Sequence, residues 1–480
     1  MSIYSDYEIV IGIEVHTELS TKTKAYCSCT TEFGGEPNTH CCPGCIGMPG
    51  ALPVLNEKVV EYGVRAGLAT NCSIRKYSKQ DRKNYFYPDL AKGYQVTQDD
   101  LPICYDGYIE IEVDDQVKRI GITRIHLEED TGKLTHDEEG SFIDYNRCGV
   151  PLIETVSEPD IRSAQEARAY LETLRNIFRY IGISDCKMNE GSFRSDINLS
   201  VRKKGAAEFG TRTEMKNLNS FSNVEKSIEA ETKRQIELLE AGGVVIQETR
   251  RWDEASQTTV SMRTKEDAGD YRYFLDPDLR PIVLTDEYID NIKTSLPELP
   301  VAKKARYMKE YDLSSYDATQ LVGSRKIAEF FEKAVEVCNN PKTVVNWIMR
   351  EIFRLLDEDQ KEEAAIPFKP ELLGKMIQLI DKGTISNNIA KQVFEEMWIS
   401  GKDPETIVEE KGLTQISDDG ALIEMAKEVL GNNEKSVQDY IGGNERALKA
   451  LMGQMMKLTK GKANPQKVTE ILTKMLEEMK

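Results

Sequence analysis

No run of 18 or more apolar residues occurs in the sequence, so no segment is predicted to cross a membrane as a helix. The first twelve residues, MSIYSDYEIVIG, contain neither a basic stretch nor a long apolar core, which excludes a typical signal peptide. The phosphate-loop pattern GxxxxGK(S/T) and the dinucleotide pattern GxGxxG are also absent, so any nucleotide site must be built differently. These absences predict a cytoplasmic protein without membrane contact.

Basic residues are fewer than acidic residues in this sequence. The 480 residues include 63 Lys and Arg against 81 Asp and Glu, which gives a net charge of −18. Such an acidic surface repels phosphate, which excludes a general nucleic-acid coat and restricts any nucleic-acid contact to a local patch. Charged residues make up 30% and hydrophobic residues 40%, as in folded globular proteins. The length predicts about two to four domains.

The character of the sequence changes near residue 296. Before it, strand-like segments are separated by Gly, Pro and Asn, and two helices are predicted. One begins after the capping residue Ser163, and the other ends at Gly242 and Gly243. After it, Gly and Pro become sparse and apolar residues recur at spacings of three and four, which predicts helices. We therefore expect an α+β fold. Its parts are a β-rich domain at 1–295, a helical domain at 296–405 and a small helical tail domain at 406–480.

Two segments show the alternation of a half-buried strand. The segment EIVIGIEVHTEL places apolar residues on one face and Glu14 and His16 side by side on the other. The segment SFRSDINLSVR alternates in the same way, with Arg194 and Asp196 on its polar face. A polar strand face either lines a cavity or is simply solvated, and both possibilities stay open.

Ten cysteines are present, and in a reducing compartment they are expected to be free thiols or metal ligands. Five of them lie close together in the patterns CSC and CCPGC, and the Pro-Gly pair suits a tight turn. Tetrahedral Zn²⁺ requires four thiolates, which can come from Cys27, Cys29, Cys42 and Cys45. A structural zinc knuckle at 27–45 is therefore favoured, with Cys41 left over. A chance cluster and a redox-active CxxC are the alternatives.

Acidic residues are concentrated in the segment TRIHLEEDTGK and at the ends of other candidate strands. Carboxylates that converge from several strands make a hard-oxygen site suited to Mg²⁺, which usually serves phosphate chemistry. The candidate residues for such a site are Glu14, His16, Glu128, Glu129 and Glu154. Because 81 acidic residues also form clusters by accident, a purely solvated acidic surface is the alternative.

Two basic segments suggest contact with a nucleotide or RNA. The segment SKQDRKNYFYPDLAKGYQVTQ interleaves Arg82 and Lys83 with Tyr85 and other aromatics, which can hold a nucleotide or a tRNA end by charge and stacking. An ordinary aromatic patch has the same composition. Residues 444–467 carry six Lys and Arg against one Glu, a local net charge of +5 that favours an RNA contact over a solvated helix face.

Nine motifs taken together closely resemble the B-subunit family of the bacterial aspartyl/glutamyl-tRNA amidotransferases. They are IGIEVHTEL, CPGCIGMPGALPVLN, DRKNYFYPDLAKGYQ, RIHLEEDTGK, PLIETVSEPDIRS, EMKNLNSF, QETRRWDE, DYRYFLDPD and MKLTKGKANPQ, in the family's order. The resemblance covers essentially the whole chain. The related archaeal-type subunit carries a large inserted domain before its tail, and this chain has no room for one.

The resemblance implies a cradle domain, a helical domain and a tail domain that holds tRNA. It also implies a heterotrimer in which an amidase A subunit hydrolyses glutamine and a small C subunit wraps the other two. The substrate is a misacylated tRNA, namely glutamyl-tRNA(Gln), aspartyl-tRNA(Asn) or both. Its side-chain carboxylate is phosphorylated by ATP and then amidated. Because this chain contains no amidase signature, the ammonia is expected to come from the partner.

Residue roles also follow from the resemblance. His16, Glu128 and Glu154, with Glu14 close by, fit the site of Mg²⁺ or Mn²⁺. Lys83 and Glu129 are expected to gate the outlet of an ammonia channel, whereas His126 stays unassigned. The cofactor site is expected to include Arg82, Tyr85, Arg194 and Asp196, and the tRNA contact of the tail Lys457, Lys460 and Lys462. A zinc-stabilised tRNA-binding scaffold without catalysis is the competing hypothesis.

Overall fold

A computed structural model describes residues 3–114, 116–264, 271–357, 361, 364–414, 418–444, 446–459 and 461–479. Its contacts divide the chain into two compact units, Met1–Pro300 and Val301–Lys480. The first unit combines sheets with helices, and the described parts of the second are helical. The α+β class is therefore confirmed. Within the described ranges, no helix is long and apolar enough to cross a membrane.

The first unit contains sixteen described strands. They are β1 (Tyr7–Glu18), β2 (Ser73–Ile74), β3 (Tyr77–Ser78), β4 (Asp81–Asn84), β5 (Tyr94–Thr97), β6 (Cys104–Val113), β7 (Gln116–Glu129), β8 (Lys133–Asp137), β9 (Gly140–Asp144), β10 (Pro151–Ser157), β11 (Phe193–Lys203), β12 (Thr213–Lys216), β13 (Glu248–Asp253), β14 (Thr258–Thr264), β15 (Phe274–Leu275) and β16 (Ile282–Val283). Nine strands form one sheet in the order β14-β13-β12-β11-β1-β10-β7-β6-β2. Three small sheets have the orders β15-β4-β5, β16-β3 and β8-β9.

The helices of the first unit are α1 (Glu57–Ala69), α2 (Ala164–Tyr180), α3 (Phe221–Glu240) and α4 (Asp286–Ser295), with 3-10 turns at Ile3–Asp6 and Tyr145–Arg147. The predicted cap of α2 is confirmed, because Ser163 accepts a hydrogen bond from the Glu166 amide. The structure also shows a cap on α3, where Ser220 accepts from the Asn223 amide. Helices α1, α2 and α3 share one core with the large sheet.

Strand β1 shows why the two faces of this sheet differ. Its apolar residues Ile11, Ile13 and Val15 are buried in the core shared with the helices. Because successive side chains of a strand point to opposite faces, Glu14 and His16 lie on the other face, as the alternation predicted. The helices thus cover one face, and the polar face remains available for a site.

The helices of the second unit are α5 (Pro300–Glu310), α6 (Ser315–Val322), α7 (Arg325–Cys338), α8 (Pro341–Trp347), α9 (Phe353–Leu355), α10 (Pro370–Asp381), α11 (Asn387–Ser400), α12 (Pro404–Glu410), α13 (Asp419–Asn432), α14 (Glu434–Ile441), α15 (Arg446–Leu458) and α16 (Pro465–Glu477), with a π-helical turn at Ile348–Ile352. Aromatic contacts join Phe330, Phe368 and Phe394. A separate apolar core runs from Leu422 to Leu476. The domain boundary at 405–406 stays a prediction.

Candidate functional site

A cavity of about 1040 Å³ lies over the polar face of the large sheet. Its charged lining residues come from neighbouring strands and from the loops beside them. They include His16, Glu18, Lys83, Glu128, Asp130, Arg147, Arg194, Asp196 and Lys216. A cavity with this density of both charges is suited to an ionic substrate.

The antiparallel register decides which side chains meet on this face. His16 of β1 stands opposite Glu154 of β10 on one side and Arg194 of β11 on the other. Glu154 in turn stands opposite His126 of β7. Directly opposed residues of a sheet share a face, so residues distant in sequence form one polar row across four strands.

His16, Glu128 and Glu154 form a group whose ligand atoms all lie within 4.8 Å of one another. The Nε2 atom of His16 is 3.5 Å from Oε1 of Glu128 and 3.5 Å from Oε2 of Glu154. In the described part of the chain, the buried Oε1 of Glu128 accepts no hydrogen bond. A buried carboxylate oxygen needs a donor or a cation, so these residues fit a divalent ion. The imidazole favours Mn²⁺ over Mg²⁺.

His126, which the sequence left unassigned, contacts the same carboxylates. Its buried ring places Nε2 3.2 Å from Oε2 of Glu154 and 3.7 Å from Oε2 of Glu128. Burial opposes the charged ring, but the two carboxylates outweigh it and raise the pKa of His126 to about 9. Burial raises the pKa of Glu154, but His126, His16 and Lys83 outweigh this effect and bring the pKa well below its ordinary value. This contact depends on the register of β7 against β10. The sequence does not predict it, because alternation shows which face a side chain occupies but not which strands are neighbours.

Glu14 belongs to a different group from the one expected. It lies with Asp196 and Glu214, and the ligand atoms of these three carboxylates are also within 4.8 Å of one another. Lys216 donates to Asp196, and its Nζ is 3.3 Å from Glu214. Burial and the neighbouring Glu154 and Asp196 raise the pKa of Glu14. The alternation correctly placed Glu14 on the polar face, but the register directs it toward β11 and β12.

Glu129 points to the opposite face of β7 from Glu128, because the two residues are consecutive in one strand. The Glu129 carboxylate accepts a hydrogen bond from the Val96 amide at 3.0 Å and is paired with Lys92. The expected partner Lys83 is therefore replaced by Lys92, a correction to the gate prediction. Both lysines lie in the same basic and aromatic segment, so the sequence alone does not show which of them pairs with Glu129.

Lys83 lies on the side of the metal-ligand group. Its Nζ is 4.8 Å from the ring centre of Tyr271. Burial opposes its charge, but the carboxylate of Glu128 and other neighbours outweigh burial and raise the pKa of Lys83. The structure thus places this cation with Glu128, where it faces the cavity.

Of the four residues expected at the cofactor site, three line the cavity, namely Tyr85, Arg194 and Asp196. The Nη2 atom of Arg194 donates to Oδ2 of Asp130 at 2.8 Å. Arg82 is turned instead toward Asp276, to which its Nε donates at 2.8 Å. Arg82 is therefore engaged in a structural ion pair, because the alternation of β4 directs it away from Lys83.

The four predicted zinc ligands come together. The sulfur atoms of Cys27, Cys29, Cys42 and Cys45 all lie within 4.8 Å of one another. A hydrogen bond from Cys27, aided by Lys24, lowers the pKa of Cys45 to about 5, whereas burial raises that of Cys29 to about 11. Cys41 lies outside the group, and its thiol donates to the Asn38 carbonyl at 3.2 Å. The donor set fits Zn²⁺.

The predicted tRNA-binding lysines differ in their surroundings. Lys457 is exposed on α15. Lys462 donates to the Gly412 carbonyl at 2.5 Å, so part of its hydrogen-bonding capacity is used within the unit. Lys460 lies outside the described residues.

Comparison with known families identifies the chain. The model of the GatB/GatE catalytic domain matches residues 9–290. The chain belongs to the GatB/GatE family. A second family model, the GatB domain, matches residues 329–476. The first GatB/GatE match contains the cavity and the cysteine group, and the second contains the tail lysines.

Relatives of this GatB/GatE member are named as the B subunit of aspartyl/glutamyl-tRNA(Asn/Gln) amidotransferase. The protein of Caldicellulosiruptor saccharolyticus is 62% identical over 479 residues, which cover 99% of this chain and 100% of the relative. The protein of Thermoanaerobacter pseudethanolicus is 59% identical over 467 residues, with 97% and 98% covered. That of Carboxydothermus hydrogenoformans is 57% identical over 472 residues, with 97% and 98% covered. The resemblance found in the sequence is confirmed.

Proposed function

We propose that this chain is the B subunit of a tRNA-dependent amidotransferase. It activates the side-chain carboxylate of glutamate on tRNA(Gln), of aspartate on tRNA(Asn), or of both, and converts it into an amide. The observation that carries this proposal is the group of His16, Glu128 and Glu154 in the cavity of the matched catalytic domain. The names of relatives up to 62% identical support it.

The reaction explains why such a cavity is needed. A carboxylate resists attack by ammonia because it is negatively charged and oxide is a poor leaving group. A side-chain oxygen therefore attacks the γ-phosphorus of ATP, ADP leaves, and an acyl phosphate forms. The nitrogen of ammonia then attacks the acyl carbon, inorganic phosphate leaves, and the nitrogen loses a proton. Both steps gather negative charge, which preorganised cations stabilise.

The residues around the cavity divide this work. His16, Glu128 and Glu154 are suited to hold Mg²⁺ or Mn²⁺, which supplies neutralising charge to phosphate oxygens when bound. Lys83 and Arg194 present fixed positive charge to the same cavity and orient the phosphate groups. Tyr85 offers an aromatic surface for stacking beside them. ATP is thus bound without a glycine-rich loop.

The pair of Glu129 and Lys92 serves the second step. Ammonia is mostly protonated at neutral pH, so a base must remove a proton before or during attack. Glu129 carries a buried carboxylate, and its salt bridge with Lys92 can open and close as a proton is taken up. We assign this pair to the outlet of the ammonia route.

The remaining parts support assembly. The cysteine group holds Zn²⁺ as a closed structural site, which leaves no coordination position for catalysis. The partners are an amidase A subunit that supplies ammonia and a small C subunit, in a cytoplasmic heterotrimer. The helical tail contacts the misacylated tRNA through Lys457 and neighbouring lysines, because a local basic surface on an acidic protein attracts phosphate.

One experiment tests this function directly. The assembled complex is given ATP, Mg²⁺, ammonium chloride and glutamyl-tRNA(Gln) or aspartyl-tRNA(Asn), and the amino acid left on the tRNA is analysed. Ammonium chloride bypasses the glutaminase, so the result reports on this subunit's reaction. We expect glutamine or asparagine to form only with ATP. Unchanged amino acids on both tRNAs would favour the non-catalytic scaffold.

A further inference from the structure

Lys24 stands next to the cysteine group and is completely buried. Burying an ammonium group is costly unless it is paired and hydrogen-bonded, so a lysine in this position requires an explanation. Its Nζ donates to the His40 carbonyl at 2.7 Å and lies 3.7 Å from the sulfur of Cys45. These two partners are a carbonyl oxygen and a cysteine sulfur, so neither of them is a carboxylate that could balance the charge of the ammonium group.

The cysteine group supplies the missing negative charge. Four thiolates around one divalent ion leave two excess negative charges, which a buried cation at the sulfur of Cys45 partly compensates. Hydrogen-bond donors and charges beside metal ligands orient those ligands and tune the affinity for the metal. Lys24 occupies such a position at Cys45.

The same lysine also reaches the wall of the site proposed for ammonia. The residues that line a cavity of about 170 Å³ include Lys24, Cys27, Cys45, Lys92 and Glu129. Gly149 lines the same cavity with φ +79°, and a methyl group there would be 3.4 Å from Cβ of Cys45. It would also be 3.7 Å from Cδ of Lys24 and 3.7 Å from Oε2 of Glu129. The cysteine group and the Glu129 carboxylate are therefore close neighbours.

We propose that Lys24 is a positioning residue that couples the cysteine-bound metal to the Glu129–Lys92 pair. Its ammonium compensates the charge of the metal-bound thiolates, and its stem fills the space between them and Glu129. Without this cation, the excess negative charge of the cysteine group acts across the cavity on Glu129 and draws Lys92 away from its partner. The inference rests on the proposed role of Glu129, but the metal contact does not.

The first test measures metal binding in the assembled complex. Lys24→Met, Lys24→Arg and the control Lys22→Met are loaded with Zn²⁺ or Co²⁺ and challenged with increasing chelator, since Lys22 is exposed beside the same segment. We expect Lys24→Met to lose metal at about tenfold lower chelator concentration, with an altered cobalt–thiolate absorption band. Lys24→Arg should retain most of the affinity and Lys22→Met all of it. Parental metal retention in Lys24→Met would overturn the proposal.

The second test measures coupling between the two reactions of the complex. The number of glutamine molecules hydrolysed per amide formed on tRNA should rise at least twofold in Lys24→Met and stay parental in Lys22→Met. An unchanged ratio together with weakened metal binding would overturn the link to Glu129. If Lys24→Met does not assemble, Lys24→Gln replaces it. Amidation by the parent complex with ammonium chloride separates these outcomes from a failure of the proposed function.

Discussion

The two units of the chain treat ionisable side chains in opposite ways. In the unit Met1–Pro300, Lys24, Glu128, Glu129, Glu231 and Arg250 are all buried. Among the described residues of Val301–Lys480, the buried charged side chain is Lys303, and the other charged groups reach solvent at least in part. Both units are rich in charge, so composition does not separate them.

This difference indicates a division of labour. A buried charge is held in place by specific partners in a medium of low dielectric constant, where it acts strongly on a reacting group. An exposed charge is screened by salt within about 10 Å and suits reversible contact with a phosphate backbone. This contrast supports the proposal that the first unit performs the chemistry and the second binds tRNA electrostatically.

The largest expected effect concerns the buried carboxylates at the metal-ligand group. Glu128→Gln keeps the shape of the side chain but removes its charge, so we expect amidation of glutamyl-tRNA(Gln) to fall about 1,000-fold. Single-turnover measurement with ammonium chloride provides the rate. Glu110→Gln, in the exposed part of β6, is the matched control and should keep the parental rate. If Glu128→Gln is as fast as this control, the acidic group has no role in the reaction and is an ordinary polar surface.

A buried charge outside the cavity should control stability instead. Glu231 accepts hydrogen bonds from Arg234 at 2.7 Å and from Thr259 at 2.7 Å, and Nε of Arg250 lies 3.3 Å from its carboxylate. Glu231→Gln removes the fully buried carboxylate of this cluster and leaves Glu248 as the remaining counter-charge of Arg250, so the free energy of unfolding should fall by about 3 kcal/mol at pH 7. Urea unfolding would measure it. The matched surface variant is Glu424→Gln, whose exposed pairing with Lys427 should contribute less than about 0.5 kcal/mol.

The effect of Glu231→Gln on stability should also depend on pH. Burial opposes ionisation of Glu231, but its hydrogen bonds with Arg234 and Thr259 outweigh it and lower the pKa. A lowered folded-state pKa gives stability that is present above the unfolded value of 4.5 and is lost as pH falls through the folded-state pKa. The difference between the parent and Glu231→Gln should therefore shrink below about pH 4.5. A difference independent of pH would mean that the charge of Glu231 is not what stabilises the unit.

The next largest effect is expected at Glu129, which lies on the opposite face of β7 from Glu128. Glu129→Gln should lower amidation about 100-fold, because it removes the carboxylate proposed to accept the proton in the second step. Consumption of ATP in the presence of acylated tRNA and glutamine hydrolysis by the amidase partner should stay near parental values, in contrast to Glu128→Gln. Equal loss of ATP consumption in both variants would show that the two faces of β7 do not separate the two steps.

The smallest effect is expected in the helical tail. Replacing Lys449 and Lys457 by alanine should weaken tRNA binding about threefold at moderate salt and flatten the salt dependence of the affinity by about one unit of slope. The exposed α3 lysines Lys226 and Lys233, replaced in the same way, form the control in the first unit. Binding titrations at several salt concentrations supply both quantities. If the α3 variant has the larger effect, the assignment of tRNA capture to the second unit is wrong.

Local patterns of the sequence determined much of the fold. The alternation in β1 and the cap Ser163 predicted elements that the structure contains. The spacing of the cysteines predicted the group at Cys27–Cys45, because a knuckle is built from residues close in the chain. These features depend on neighbours within about one turn or one strand, which the sequence displays directly.

Which charged side chains contact one another depends on the tertiary structure. The register of β1, β10 and β7 brings His16, Glu154 and His126 together, whereas the pairing of β1 with β11 places Glu14 beside Asp196 and Glu214. Strand β5 packs beside β7, and Glu129 accepts a hydrogen bond from β5 and forms an ion pair with Lys92. Lys83 instead interacts electrostatically with Glu128. Pairing between strands joins residues that are distant in the sequence, such as His16 and Glu154. A shift by one residue turns every side chain of a strand to the other face. The residue types of the site were therefore set by the sequence, and their partners by the sheet.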